Sequence, residues 1–344
     1  MIHAVFKNPL MVVDLSGYSF SGKSAVYDLL TEFEGFFSHS KEFEFELMRV
    51  QGGILDLKNA LVDNWSPIRS SEAIRNFYRL IKRIGGLGNA RSRLAGAGSN
   101  YDLIFPGFTE KSNQYIDSLV SASWECDWPF PLYSCDLASL LLKKSKKKLG
   151  FNSKDILYLS RPTKELFISS TKSYLNSLFS EVIDSENKCL VLNNSFEPFD
   201  PDKSIELFDF AKSIIVDRDP RDIYLSAINA GSIHGLEVGL AVTGKTVANF
   251  IDRFKIYHAN PVTSSSNVYR IAFESIVLDY EAEVNRIRSF LGETPGSYRH
   301  KGCAFNPIQS AKNVGIWKSL NDEVLIRDIK IIERELPQYC LSIE

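Results

Sequence analysis

An eight-residue run, Gly17-Tyr18-Ser19-Phe20-Ser21-Gly22-Lys23-Ser24, holds the side chains best suited to chemistry. Its letters fit G-x-x-x-x-G-K-[ST], the nucleotide-phosphate loop. Glycines let the backbone approach a ligand closely, and a loop at a helix N-terminus turns several N–H donors toward one anion. Lys23 adds a charge and Ser24 a hydroxyl. A chain of this length would match the pattern by chance roughly once in a hundred. The competing explanation is an ordinary strand-to-helix turn with its lysine in water.

A second group is Asp217-Arg218-Asp219-Pro220-Arg221-Asp222-Ile223-Tyr224-Leu225-Ser226. An arginine at a strand end is a strong phosphate ligand, because its fork donates two parallel charge-assisted bonds. Ser226 can add a hydroxyl donor. The alternative is a surface ion-pair network among Arg218, Arg221, Asp217, Asp219 and Asp222, as is common on protein surfaces. A third group, Ser38 to Leu47, alternates strictly and includes His39, Glu42 and Glu44. It predicts a strand or extended loop with its carboxylates on one face. Such runs are often simply solvated.

These groups need a scaffold. Apolar runs at 10–16, 189–194, 213–217 and 268–274 predict buried strands, and helical patterns lie at 23–33, 163–182, 204–212, 245–258, 280–291 and 321–335. Pro220 suits the first turn of a further helix after the third strand. Alternating strands and helices predict an α/β fold, a P-loop-type parallel sheet flanked by helices. Ligands of such sheets sit at the C-terminal strand ends, which places the first two groups on one rim. Residues 50–150 differ. Helical patterns at 72–84 and 112–123 flank a Gly/Arg-rich loop at 85–93, followed by Trp124, Trp128, Phe130, Tyr133 and a lysine run at 143–148. We read one domain over 1–344, with 50–150 a mostly helical insertion shaping the acceptor site. The aromatics are read first as core and second as a sugar platform. The lysines are read first as a solvated helix end and second as a patch for an anionic acceptor or a membrane surface.

Composition bounds the classes. The chain has 344 residues, 44% hydrophobic and 24% charged, with a formal charge of −2. That is an ordinary globular composition, and no whole-protein field argues for nucleic acid. Cys126, Cys135, Cys189, Cys303 and Cys340 lack C-x-x-C spacing and read as reduced thiols of a cytoplasmic protein. The N-terminus lacks a signal-peptide pattern, and no stretch approaches the ~18–20 apolar residues of a membrane span. Peripheral contact with a membrane stays open; neither a zinc pattern nor any other metal site is expected.

Several of these segments together resemble the sulfotransferases that use 3′-phosphoadenosine 5′-phosphosulfate (PAPS). A strand, then Arg-Asp-Pro-Arg-Asp, then Ser226 is similar to the family's 3′-phosphate segment. Residues 17–24 stand where its 5′-phosphosulfate loop is found. Lys312-Asn313-Val314-Gly315-Ile316-Trp317-Lys318 resembles its Gly-x-Trp-Lys loop. Phe273-Glu274-Ser275, Tyr280 and Phe290-Leu291-Gly292 resemble its Tyr-Glu-Asp … Phe-Leu-Gly segment. The likeness covers roughly 10–46 and 189–335. It implies that Ser21, Gly22, Lys23 and Ser24 hold the 5′-phosphosulfate, and that Arg218 and Ser226 hold the 3′-phosphate with Lys312 assisting. Gly315, Trp317 and Lys318 belong to the same cofactor site. By the carbohydrate-type pattern, the base is a glutamate about twenty residues past the loop, which makes Glu42 the first candidate. Glu44 is second and His39 third, its imidazole being the side chain that titrates near neutrality. His234 and His258 carry no motif support. A glutamate base implies a carbohydrate or glycolipid hydroxyl as acceptor, with no metal. The chain departs from the pattern at Phe20, where the family has a basic residue, and at Ser310-Ala311-Lys312, where it has Arg-Lys-Gly.

Two other functions compete. A kinase or NTPase using Mg-ATP would take Asp217 as its metal-binding carboxylate and Arg218 as a phosphate sensor. A degenerate, non-catalytic binding protein on the same fold would account for Phe20.

Overall fold

The computed structural model describes residues 10–41, 43–86, 100–126, 141–142, 145, 155–184, 188–230, 246–260, 262–298 and 300–342. Their strands, in chain order, are β1 Met11–Gly17, β2 Phe36–Ser38, β3 Ala122–Cys126, β4 Asp155–Leu159, β5 Cys189–Asn193, β6 Ala211–Asp217 and β7 Val268–Ala272. The chain divides into two compact units, Met1–Glu46 with Asp184–Glu344, and Leu47–Ile183. The 50–150 stretch falls inside the second.

In the first unit, β2-β5-β1-β6-β7 form one parallel sheet. Every residue of β1 is buried, as a central strand covered on both faces requires. Met11, Val13 and Leu15 meet Val26, Leu29 and Leu30 of the helix Lys23–Thr31 in one apolar cluster, which also takes in Val216, Ile271 and Phe273. A second cluster joins the helices Pro220–Ala230, Thr246–Tyr257 and Glu323–Glu335 through Ile223, Phe250, Ile329 and Ile332. The chain leaves β1 toward β2 and leaves β6 toward β7, on the opposite side. By the general rule for α/β sheets, that divergence marks the C-terminal ends of β1 and β6 as the expected ligand position.

The four expected strands are all present in this sheet. Two local expectations change, at 204–212 and at 273–274; the helix expected over 204–212 is the shorter Asp202–Ile205, with Ala211 and Lys212 in β6. The run after Ser38, expected as a strand or an extended loop, is a loop: residues 43–45 are irregular and Glu46–Met48 is a 3-10 turn. β2 ends at Ser38, opposite Val191, although β5 continues to Asn193. Phe273 and Glu274 do not extend β7 but open the short helix Phe273–Leu278.

The second unit contains helices Pro67–Gly85, Phe108–Leu119 and Lys164–Phe179, with β3 paired antiparallel to β4. Ser66 caps the first by accepting from Arg69 N, with Pro67 at the first helical position. Tyr115 stacks on Tyr174 with ring centroids 4.6 Å apart, and each buried hydroxyl has a partner, Thr171 Oγ1 at 2.8 Å and Ser112 Oγ at 2.6 Å. Trp124 lies on β3 and is exposed. Trp128, Phe130, Tyr133, the lysines of 143–148 and most of the 85–93 loop lie outside the described residues. No helix among the described residues is long and apolar enough to cross a membrane.

Candidate functional site

β1 ends at Gly17 and the helix Lys23–Thr31 starts a short loop later. Ser21 N donates to Tyr18 O at 3.1 Å and Ala25 N to Gly22 O at 3.0 Å, folding the loop onto itself. Gly22 has φ 90, and a Cβ there would lie 2.4 Å from the Phe273 ring. At Gly17, φ 156, a Cβ would lie 2.6 Å from Val216 O. The loop is therefore pressed between β6 and the start of the helix after β7. Ser21 is 1% exposed and its Oγ lacks a hydrogen-bond partner. An orphan hydroxyl at a helix N-terminus is what a bound oxyanion satisfies. Lys23 Nζ donates to Gly17 O at 3.1 Å, so its ammonium curls back over the loop. Ser24 is exposed on the first helical turn.

Arg218 lies just past β6 and gathers three segments. Its Nη1 donates to Phe20 O at 2.9 Å and to Ser226 Oγ at 3.0 Å, and its Nη2 donates to Asn313 O at 2.6 Å. Its Nε is buried without a partner, and burial pulls the guanidinium below its ordinary pKa. The loop 17–24, the strand-end arginine with its serine, and the C-terminal loop thus meet at one side chain. Phe20, at φ 64, contributes its carbonyl, while its ring packs against the cluster around Ile223 and Phe250.

The other charges of 217–222 are occupied elsewhere. Arg221 pairs through Nε and Nη2 with Asp219 at 2.9 and 2.6 Å, bonds Glu333 at 2.7 Å and stacks 3.8 Å from the Trp317 ring. Asp217 receives two bonds from Arg270, one of them 2.8 Å from Nη2 to Oδ1. The ion-pair network weighed from the sequence therefore exists around Arg221, whereas Arg218 turns to neutral oxygens.

The C-terminal loop is fastened to the helix Pro220–Ala230. Gly315, at φ 67, donates its N–H to Asp222 Oδ2 at 2.7 Å. Trp317 is half-buried against Arg221, with its Nε1 lacking a partner. Lys312 and Lys318 are exposed, Lys312 directly before the Asn313 carbonyl that meets Arg218. Lys318 Nζ sits 5.8 Å above the Trp317 ring.

Glu42 lies outside the described residues. His39 is exposed, its ring 5.3 Å from that of Phe43. Glu44 is half-buried and accepts from Asn194 Nδ2 at 3.1 Å. Sequence reasoning missed Asn194, whose only local signal is an Asn-Asn pair at a strand end. It also missed Asp222 as a loop anchor and Glu274 as a buried support. Glu274 Oε1 accepts from Asp219 N at 2.9 Å, directly behind Arg218. Burial pushes its carboxyl up to about 7. A cavity of about 220 Å³ is lined by Asp217, Arg218, Asp219, His258, Arg270 and Glu274 among others. No cluster of three or more His, Cys, Asp or Glu disposed to hold a metal occurs among the described residues.

No family model matches the chain, and no curated protein matches it. Solved structures do. The sulfotransferase domain of the Synechococcus PCC 7002 olefin synthase is 13% identical, with 96% of this chain and 97% of that one covered at a TM-score of 0.38. A sulfotransferase from Mycobacterium avium is 15% identical, with 99% and 78% covered and a TM-score of 0.35. Retinol dehydratase in complex with androsterone and the inactive cofactor PAP is 12% identical, with 98% and 85% covered and a TM-score of 0.38. Overlap at this level leaves the activity to be read from the chain's own residues.

Proposed function

We propose that this protein is a sulfotransferase that moves a sulfuryl group from PAPS to an acceptor hydroxyl. The observation that carries the reading is Arg218, whose guanidinium joins the phosphate loop, Ser226 and the C-terminal loop. A bisphosphorylated nucleotide needs two separate anion sites, and these segments supply both. Ser21, Gly22, Lys23 and Ser24 take the 5′-phosphosulfate. Arg218 and Ser226 take the 3′-phosphate, with Lys312 beside them and Gly315, Trp317 and Lys318 shaping the loop.

Lys23 and the loop amides neutralise charge on the leaving phosphate oxygen as its bond to sulfur breaks. The acceptor oxygen forms the new bond to sulfur and gives its proton to a base. Glu42 is the first candidate, then Glu44 and His39. The glutamates favour a saccharide or glycolipid hydroxyl, and acceptor choice is assigned to 50–150, the stretch the sequence resemblance leaves out.

The kinase reading needs Asp217 free for magnesium, but Arg270 holds both of its oxygens. Calorimetry with 3′-phosphoadenosine 5′-phosphate (PAP) and with ATP, each with and without Mg²⁺, tests the proposal. Metal-independent binding of PAP, tighter than ATP, is expected. Arg218→Ala should weaken it about 100-fold, the scale of a lost charge-assisted pair. Preference for Mg-ATP would overturn the reading. PAP binding without any turnover would leave a binding protein.

A further inference from the structure

The segment that carries the candidate bases is fastened to the sheet at two points. Asn193 Nδ2 donates to the carbonyl of Lys41 at 2.7 Å, and Asn194 Nδ2 donates to Glu44 Oε2 at 3.1 Å. Both asparagines stand at the end of β5, beside the strand that delivers the phosphate loop. Asn193 is in register with Leu15 of β1, and Asn194 N donates to Leu15 O at 2.8 Å, two residues before Gly17. The next residue is anchored too: Ser195 N donates to Oδ1 of the fully buried Asp14 at 2.7 Å. The amide that holds Glu44 is thus built into the same rigid strand pair as the anion site.

The backbone at Asn194 is unusual for a residue other than glycine. Its φ of 54 lies in the left-handed region, which non-glycine residues enter seldom and asparagine enters most readily. Glycine would suit that backbone better but would carry no amide. Asparagine meets that backbone requirement and also presents an amide that glycine would lack.

We propose that Asn194 is a positioning residue that fixes the Glu44 carboxylate to take the acceptor proton. This rests on the sulfotransferase reading and selects Glu44 among its three candidate bases. Glutamate has three side-chain torsions, and an unrestrained carboxylate spends most of its time away from a given proton. One donated hydrogen bond from a strand end removes much of that freedom. In the reaction, the acceptor O–H proton passes to a Glu44 oxygen while the acceptor oxygen bonds to sulfur. The bond from sulfur to the 5′-phosphate breaks, PAP leaves with the electron pair, and Glu44 later returns its proton to water.

The test follows PAP release from PAPS with a panel of sugar, alcohol and phenol acceptors, alongside PAP calorimetry, for wild type, Asn194→Gly, Asn194→Asp, Glu44→Gln and the double variant Asn194→Gly/Glu44→Gln. Asn194→Gly, which suits the left-handed backbone, should lower kcat about 10-fold with KM for PAPS and PAP affinity nearly unchanged. Asn194→Asp keeps the size but sets a carboxylate against Glu44, and should cost at least as much. In the Glu44→Gln background, Asn194→Gly should cost nothing further. Multiplying losses in the double variant would overturn the proposal, as would an Asn194→Gly kcat equal to wild type. A Glu44→Gln enzyme that binds PAP and keeps its kcat would overturn it while leaving the sulfotransferase reading intact. A wild type that binds PAP but uses no acceptor would overturn the role of Glu44 as base. Failure of the wild type to bind PAP would sink the underlying reading, and this proposal with it.

Discussion

Glu274 sits under the backbone that carries Arg218, 3% exposed, with its carboxyl raised from 4.5 to about 7 by burial. In the unfolded chain it titrates in the ordinary carboxylate range. Between those values the folded protein binds more protons than the unfolded one. Its contribution to stability is therefore full below about pH 4.5 and is lost as pH rises through about 7. Glu274→Gln keeps an oxygen for the Asp219 N–H and removes the charge. It is expected to be more stable than wild type at pH 8, by roughly 1–3 kcal/mol, and nearly equal at pH 4.5. Urea midpoints across that range check this. A difference that does not grow with pH would mean that Glu274 ionises normally in the folded protein.

At the scale of elements, the loop 17–24 depends on what presses against it. Gly22 faces the Phe273 ring so closely that a methyl group cannot be added without moving the ring, and its φ of 90 strains any larger residue. Gly22→Ala should cost about 2 kcal/mol or more of stability and weaken PAP binding, because the loop amides turn with the backbone. Adding Phe273→Leu should recover part of the stability, by making room, but not the φ cost. Melting curves with and without PAP separate the two contributions. A Gly22→Ala protein with wild-type melting and PAP affinity would show that the loop is free to relax.

At the scale of the molecule, residues 47–183 form one continuous compact unit, while the sheet-bearing unit is assembled from 1–46 and 184–344. The continuous unit has its own core, with Ile74, Phe77, Phe108, Ile116, Phe167, Leu175 and Phe179 almost fully buried. Expressed alone, 47–183 is expected to unfold cooperatively in urea, with an m-value fitting a domain of that size. Non-cooperative melting of the fragment would show that its core depends on the rest of the chain.

How much was legible follows from how far apart the partners lie. The loop 17–24 and the Arg218–Ser226 pair could be read directly, since each is a strand-to-helix junction whose spacing alone brings its groups together. The parallel sheet was legible from four apolar runs. The division of labour between Arg218 and Arg221 was not. Both arginines stand in one charged segment, and only the placement of Glu333 and Trp317 claims Arg221 for the interior. The alternating run after Ser38 left strand and extended loop open, because its period fits both, and only the fold shows that β2 ends at Ser38.

The amino-acid sequence by itself determined the α/β class, the strand-to-helix loop at 17–24 and the strand-end arginine, because those depend on neighbours within about ten residues. Only the tertiary structure joined Arg218 to Phe20 and Asn313, Asp222 to Gly315, and Asn194 to Glu44. Each of those contacts spans about ninety residues or more of chain. Such contacts form because parallel strands, wound in this order, bring remote turns to one rim, and no local spacing encodes which turns will meet.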